Sequence, residues 1–168
     1  MTSGIKGLHH NAYRCRDSEE TRKFYEDFLG LPLSCALDIH ATKTGRPVHV
    51  LHTFYEMDDG SYLAFFEDPA TPFEFEEQHD FDLHIALEVD HEHMMAMLEK
   101  GKATEGMETR GVADHDFIHS IYFRDPNGYV IELTAKQPHH DDATDPAKNG
   151  ARTILDQWQA DKGDAAAG

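Results

Sequence analysis

Asp82-Leu83-His84-Ile85-Ala86-Leu87-Glu88-Val89-Asp90 alternates between apolar and polar residues. Alternation with a period of two marks a strand buried on one face. Leu83, Ile85, Leu87 and Val89 point one way, and His84, Ala86 and Glu88 the other. Asp90 then offers a helix cap, Met94, Met97 and Leu98 recur at helical spacing, and Gly101 provides a stop. Strand-like segments follow near Ala103 to Met107, Ile118 to Phe123 and Tyr129 to Thr134. Asp125-Pro126-Asn127-Gly128 is a strong turn between the last two.

The same order stands upstream. Gly7 to Cys15 reads as a strand, and Asp17-Ser18-Glu19-Glu20 as a helix start with Asp17 as N-cap. Phe24, Tyr25, Phe28 and Leu29 form the apolar stripe of that helix, which Gly30 and Pro32 end. Strands are expected at Leu33 to Ile39, Pro47 to Glu56 and Ser61 to Phe66, with a hairpin turn at Asp58-Asp59-Gly60. The chain therefore reads β-α-β-β-β twice, an α+β pattern, and a repeat creates equivalent positions that can be compared. One domain is expected over residues 1–137, with modules at about 5–72 and about 80–136. Phe73 to Phe81 forms an acidic linker between the modules. Residues 138–168 form a C-terminal loop and helix. Asp145 before Pro146 suggests the helix start, and Ala151, Ile154, Leu155 and Trp158 give a face expected to dock on the body.

The balance of 15 basic against 32 acidic residues gives a net charge of −17, which repels phosphate backbones and anionic membranes. No nucleic-acid or membrane partner is expected. Cys15 and Cys35 suggest neither a disulfide framework nor a thiolate metal site. No apolar leader or membrane-length stretch is present, so the expected location is cytoplasmic. There is no Gly-rich phosphate loop after a strand and no GxSxG elbow. Met94, Met95 and Met97 are helix core.

Thirteen histidines is a high count; most read as residues scattered over a solvated acidic surface, and the repeat picks out the ones that matter. Superimposing the modules places Leu8-His9-His10-Asn11-Ala12 on Asp82-Leu83-His84-Ile85-Ala86, so His10 matches His84. In the last strand Ile131 and Leu133 face the packed side, so Glu132 faces the opposite one. A carboxylate in a sheet concavity must be paired or bound to a metal, because desolvating it alone costs several kcal/mol. His10, His84 and Glu132 make a two-histidine, one-carboxylate set that suits a divalent first-row ion and leaves open positions.

The repeat, the stretch Phe24-Tyr25-Glu26-Asp27-Phe28-Leu29-Gly30-Leu31 and the segment Tyr122-Phe123-Arg124-Asp125-Pro126-Asn127-Gly128-Tyr129-Val130-Ile131-Glu132-Leu133 resemble the vicinal oxygen chelate superfamily of glyoxalases, bleomycin resistance proteins and extradiol dioxygenases. The resemblance implies that the two βαβββ modules form a curved mixed sheet around a metal site. It also implies a homodimer or closely apposed modules acting on a small-molecule substrate.

Glyoxalase I enzymes add a carboxylate ligand from the first module, and here Ala64 falls at that place. Extradiol dioxygenases use three ligands, as found here. Ser120-Ile121-Tyr122 resembles the stretch with their active-site tyrosine, which maps onto Tyr122. His115 is the nearest match to the histidine that precedes it, and Val50-Leu51-His52 resembles another of their strands. The usual acid–base histidine before the fourth strand is missing, since Asp59-Gly60-Ser61-Tyr62 stands there; His52 or His115 would then carry the proton. The expected function is ring cleavage of a catechol-like molecule with Fe(II), the same ligands also suiting Mn, Zn, Ni or Co. Tyr122, His115 and His52 are the expected catalytic residues. A glyoxalase- or epimerase-like lyase or isomerase is the alternative enzyme. A non-catalytic sequestering protein of the resistance kind is the third reading, against which the intact metal set argues.

Overall fold

Asp17 starts the first helix as its position implies. Its backbone is extended (φ −148°, ψ 126°) and its Oδ1 accepts from the Glu20 N–H at 2.8 Å. The structure is a computed structural model that describes residues 4–165. The first module comprises β1 (Tyr13–Arg14), α1 (Ser18–Arg22), which continues as a π-helical turn over Lys23–Phe28, then β2 (Leu33–Ala41), β3 (Pro47–Glu56) and β4 (Tyr62–Glu67). The second comprises β5 (His84–Glu88), α2 (His91–Ala103), β6 (Thr109–Asp114), β7 (Ile118–Arg124) and β8 (Val130–Lys136). Two helices follow, α3 (His140–Thr144) and α4 (Ala151–Ala165).

Each module folds into its own four-stranded sheet, in the orders β1-β4-β3-β2 and β5-β8-β7-β6. In both, the first strand pairs parallel with the last and the others pair antiparallel. The registers repeat as well. His10 bridges Tyr62 as His84 pairs Val130, and Phe54 pairs Ala64 as Tyr122 pairs Glu132. Ala64 is therefore the first module's counterpart of Glu132, and Phe54 the counterpart of Tyr122. The α+β two-module expectation holds, with the two halves as separate ladders within one chain.

One apolar core joins the modules. Phe24, Tyr25 and Phe28 from the first helix pack with Tyr55, Leu63 and Phe65 of their own sheet and with Phe123, Ile131 and Leu133 of the other. Phe28 meets Phe123 edge-on at 5.1 Å between ring centroids. The polar seam is built by the Asp125–Gly128 turn. Asp125 accepts from the Tyr25 hydroxyl at 3.0 Å, and Asn127 Oδ1 accepts from the Arg16 N–H at 2.8 Å. A turn read only as a hairpin connection thus also locks the second module onto the start of the first helix.

Gly128 shows how closely the linker approaches. Its φ is +98°, and a Cβ there would lie 2.1 Å from the Glu76 carbonyl oxygen. We expect Gly128→Ala to destabilise the chain by about 2–4 kcal/mol through left-handed strain plus the backbone clash. Urea denaturation measures it, and a loss within about 0.5 kcal/mol, the range of neutral surface changes, would contradict it.

Three local expectations need correction. The strand expected near Ala103 to Met107 is instead Thr109–Asp114, because α2 runs on to Ala103. Gly101 does not end α2. It lies in the last turn, where a Cβ would meet the Phe123 ring at 2.5 Å, so it lets helix and sheet approach. The C-terminal helix forms but starts at Ala151 and not at Asp145: the Gly150 carbonyl accepts from the Ile154 N–H at 3.1 Å, and Asn149 Oδ1 accepts from the Ala151 N–H at 2.9 Å. Its apolar face does not dock: Ile154 is 66% and Trp158 65% exposed, with no surface lying against them among the described residues. Among the described residues no helix is long and apolar enough to cross a membrane.

Candidate metal centre

The alternation of β5 holds in space. His84, Ala86 and Glu88 are exposed, while Leu83, Ile85, Leu87 and Val89 pack on the core. On the adjacent strand Ile131 and Leu133 are buried in that core, so Glu132 is turned to the same open face as His84. Nε2 of His84 lies 3.3 Å from a Glu132 carboxylate oxygen. Glu132 is only 4% exposed, the enclosed carboxylate that the sequence pattern implies.

His84 is held from behind. Its Nδ1 lies 2.6 Å from the Asp80 carbonyl oxygen, an acceptor, so Nδ1 donates there and Nε2 is turned toward Glu132. This is the arrangement that orients a ligating imidazole. The Asp80 carboxylate takes both Nη atoms of Arg110 at 2.7 and 2.8 Å, and that guanidinium holds it below the usual carboxylate range. Arg110 in turn lies over the Tyr122 ring, 5.1 Å from its centroid.

Tyr122 stands beside Glu132. Its hydroxyl is 3.4 Å from Glu132 Oε1 and 2.8 Å from Nε2 of His115. Burial, followed by the Glu132 charge, pushes the phenol above its ordinary value. His84, Arg110, His115, Tyr122 and Glu132 line one open cavity of about 740 Å³, with Phe81, Phe117 and Ile118 as apolar wall. Such a mixture of apolar wall and few convergent polar groups is that of a small-molecule site.

His10 and His52 lie on the other sheet. Their rings are 6.2 Å apart, and His10 is 5.5 Å from the Phe54 ring. His52 is buried, stacked on Phe66 at 3.6 Å, with Nδ1 3.0 Å from the Phe65 carbonyl oxygen. Burial holds its imidazole below the ordinary value. The chain thus brings His84, Glu132, Tyr122 and His115 together but does not bring His10 to them. Among the described residues, the one triplet of candidate ligands whose donor atoms lie within 4.8 Å of one another is Asp38, His40 and His49, elsewhere in the first module.

Two neighbours of the site escaped the sequence reading. Arg110 pairs directly across from Tyr122, but placing the strand six residues early hid that register. Asp80 fell in the segment read as an acidic linker, and no pattern distinguishes it from its acidic neighbours.

Comparison with known proteins bears on this geometry. The family model of the Glyoxalase/Bleomycin resistance protein/Dioxygenase superfamily matches residues 7–133. None of the curated proteins matches the sequence. Among solved structures, the glyoxylase/bleomycin resistance protein/dioxygenase domain from Frankia sp. EAN1pec is 17% identical, covering 82% of this chain and 97% of its own, with a TM-score of 0.63. A mutant of the fosfomycin resistance protein FosX from Listeria monocytogenes, complexed with Mn(II) and 1S,2S-dihydroxypropylphosphonic acid, is 22% identical, covering 80% and 96%, with a TM-score of 0.60. An integron cassette protein from the mobile metagenome of the Halifax Harbour sewage outfall is 22% identical, covering 78% and 99%, with a TM-score of 0.57. At these identities the likeness is one of fold.

Proposed function

Because the chain belongs to the glyoxalase/bleomycin resistance protein/dioxygenase superfamily, we propose that it is a metal-dependent enzyme acting on a small molecule with two adjacent oxygens, most like an extradiol ring-cleaving dioxygenase. The observation that carries this is the chain His115–Tyr122–Glu132 beside a His84 whose Nε2 is turned to the Glu132 carboxylate. The donors fit a divalent ion: one imidazole held in place through Nδ1 and one enclosed carboxylate. His10 completes the set. Since His10 is on the other sheet, the proposed unit is a homodimer in which His84 and Glu132 of one copy meet the partner's His10. Fe(II) is the ion this reading calls for, although Mn, Zn, Ni or Co suit the same donors.

A divalent ion in this site supplies Lewis acidity to the paired substrate oxygens and lowers the pKa of a bound hydroxyl. Tyr122 donates its hydroxyl proton to a substrate oxygen once it turns from Glu132. His115 accepts or returns a proton through that hydroxyl, at 2.8 Å. His52, whose Nδ1 is held by the Phe65 carbonyl, stands beside His10, with 6.2 Å between ring centroids. Phe54 and Ala64 give the first module an apolar wall at the positions of Tyr122 and Glu132, so it has no second carboxylate to offer as ligand.

We expect Tyr122→Phe to lower kcat by about 10- to 150-fold, the loss of one hydrogen bond to a charged group of roughly 1.5–3 kcal/mol, with metal content unchanged. Steady-state turnover beside metal analysis checks this, and wild-type kcat and kcat/KM would make Tyr122 an ordinary packing residue. A second reading, an oxygen-independent lyase or isomerase, is favoured by Asp59-Gly60-Ser61-Tyr62, where ring-cleaving enzymes carry a histidine. Metal analysis of anaerobically purified protein, with oxygen uptake on a catechol, separates the two. Fe(II) and uptake support the dioxygenase, whereas Zn or Ni without uptake supports the lyase.

A further inference from the structure

We propose a second, surface site for a transition-metal ion, formed by Asp38, His40 and His49 where β2 and β3 approach their connecting turn. The Asp38 carboxylate bridges the Nε2 atoms of the two rings. One carboxylate oxygen is 3.1 Å from His40 Nε2 and the other 3.2 Å from His49 Nε2. The imidazoles stack at 4.9 Å between centroids and 18° between planes. The three donor atoms all lie within 4.8 Å of one another.

These separations suit one ion. Donors bound at about 2.0–2.1 Å around a tetrahedral centre stand about 3.3–3.4 Å apart; here the two nitrogens approach different oxygens of one carboxylate, so an ion enters once these exposed side chains shift by roughly 1 Å to share one donor set. Two imidazole nitrogens and one carboxylate select Zn(II), Ni(II) or Cu(II) over Mg(II) or Ca(II), which require mainly oxygen. Water completes the sphere, because all three side chains are more than half exposed. The net charge of −17 draws cations to the surface.

The site is separate from the candidate centre above. Asp38 pairs with Leu51, and Leu37 with His52. Asp38 and His49 therefore share the face of Leu51, whereas His52, beside His10, is on the opposite face. The β2–β3 ladder shifts register between Ile39 and Ala41, the kind of bulge that re-aims the side chain within it, here His40. Because β2 is the outer strand of its sheet, an ion here ties that edge to β3.

The test is Zn(II) titration of the full chain against a chromophoric chelator, in wild type, in His40→Ala/His49→Ala and in Glu132→Ala. The double variant should lose one equivalent of micromolar sites, with affinity there falling at least about 100-fold. Its Tm without metal should match wild type, while the Tm rise on adding Zn(II) shrinks. Glu132→Ala should keep that equivalent. A double variant that binds as many equivalents as tightly as wild type overturns the proposal. Unchanged binding in Glu132→Ala alone would count against the other centre and leave this one standing.

Discussion

Glu132→Ala is expected to lower metal affinity by at least about 100-fold while leaving the chain folded. Changes behind the ligands already cost about 10- to 100-fold in metal sites, and Glu132 is itself a proposed ligand. Without metal, its carboxylate is enclosed and has only His84 Nε2 at 3.3 Å and the Tyr122 hydroxyl at 3.4 Å. Removing it therefore relieves a desolvated charge as well as breaking contacts, and these effects oppose each other. The apo Tm should move little. The part of the metal-induced rise in Tm that comes from this centre should vanish, leaving the part from Asp38, His40 and His49, since a ligand at about 100 times Kd stabilises by about 2.7 kcal/mol and an unbound one not at all. His84→Ala should behave alike. Metal content after dialysis and thermal melts with and without metal are the readouts, and full occupancy in both variants would remove this pair from the ligand set.

Asp125→Ala should have the largest effect on folding, a loss of about 3–5 kcal/mol. Asp125 is 4% exposed and accepts four hydrogen bonds, from the Tyr25 hydroxyl, the Asn127 N–H, Asn127 Nδ2 and the Tyr129 N–H, at 2.8–3.0 Å. Alanine leaves the Tyr25 hydroxyl and the Asn127 and Tyr129 N–H groups unpaired, Asn127 Nδ2 keeping the Thr21 hydroxyl at 3.3 Å, and Tyr25 is fully buried. Each unpaired buried donor costs about 1–3 kcal/mol, and partial relaxation reduces the sum. Tyr25→Phe removes only one of the bonds and should cost about 1 kcal/mol. Burial pushes the Asp125 carboxyl above its ordinary value despite these bonds. The folded chain therefore holds a proton there more tightly than the unfolded one. This contribution is full below the unfolded value of about 3.9 and lost as pH rises through the folded value. Urea titrations of both variants check the magnitudes, and a loss below about 1 kcal/mol in Asp125→Ala would mean that the turn does not hold the modules together.

The repeat was legible because each module must bury one face of its sheet under a helix, which imposes the same hydrophobic periods twice. Glu132 was legible for the same reason: Ile131 and Leu133 declare their face, and the residue between them has no choice. The start of α1 was legible from Asp17, whose cap is a local bond. What stayed hidden depends on contacts between distant segments. Gly101 looks like a helix stop until Phe123 is seen against it. Trp158 looks like a docking residue, but amphipathic spacing specifies a face and not the surface that covers it. Arg110 and Asp80 depend on a strand register and a linker path that no local pattern encodes. Equivalence of His10 with His84 likewise says that they occupy matching strands, not that one chain brings them together.

The central claim is that one metal centre takes His84 and Glu132 from one copy and His10 from another. Co-expression of a His10→Ala chain and a Glu132→Ala chain under two affinity tags, followed by tandem purification, isolates the mixed dimer. One of its sites then carries both substitutions and the other carries neither. The account predicts that, beyond the ions held at Asp38, His40 and His49, the two parent proteins bind no metal tightly, while the mixed dimer binds one further ion per dimer with wild-type affinity. A mixed dimer that binds no more metal than its parents would contradict it, because sites formed within each chain would all be broken.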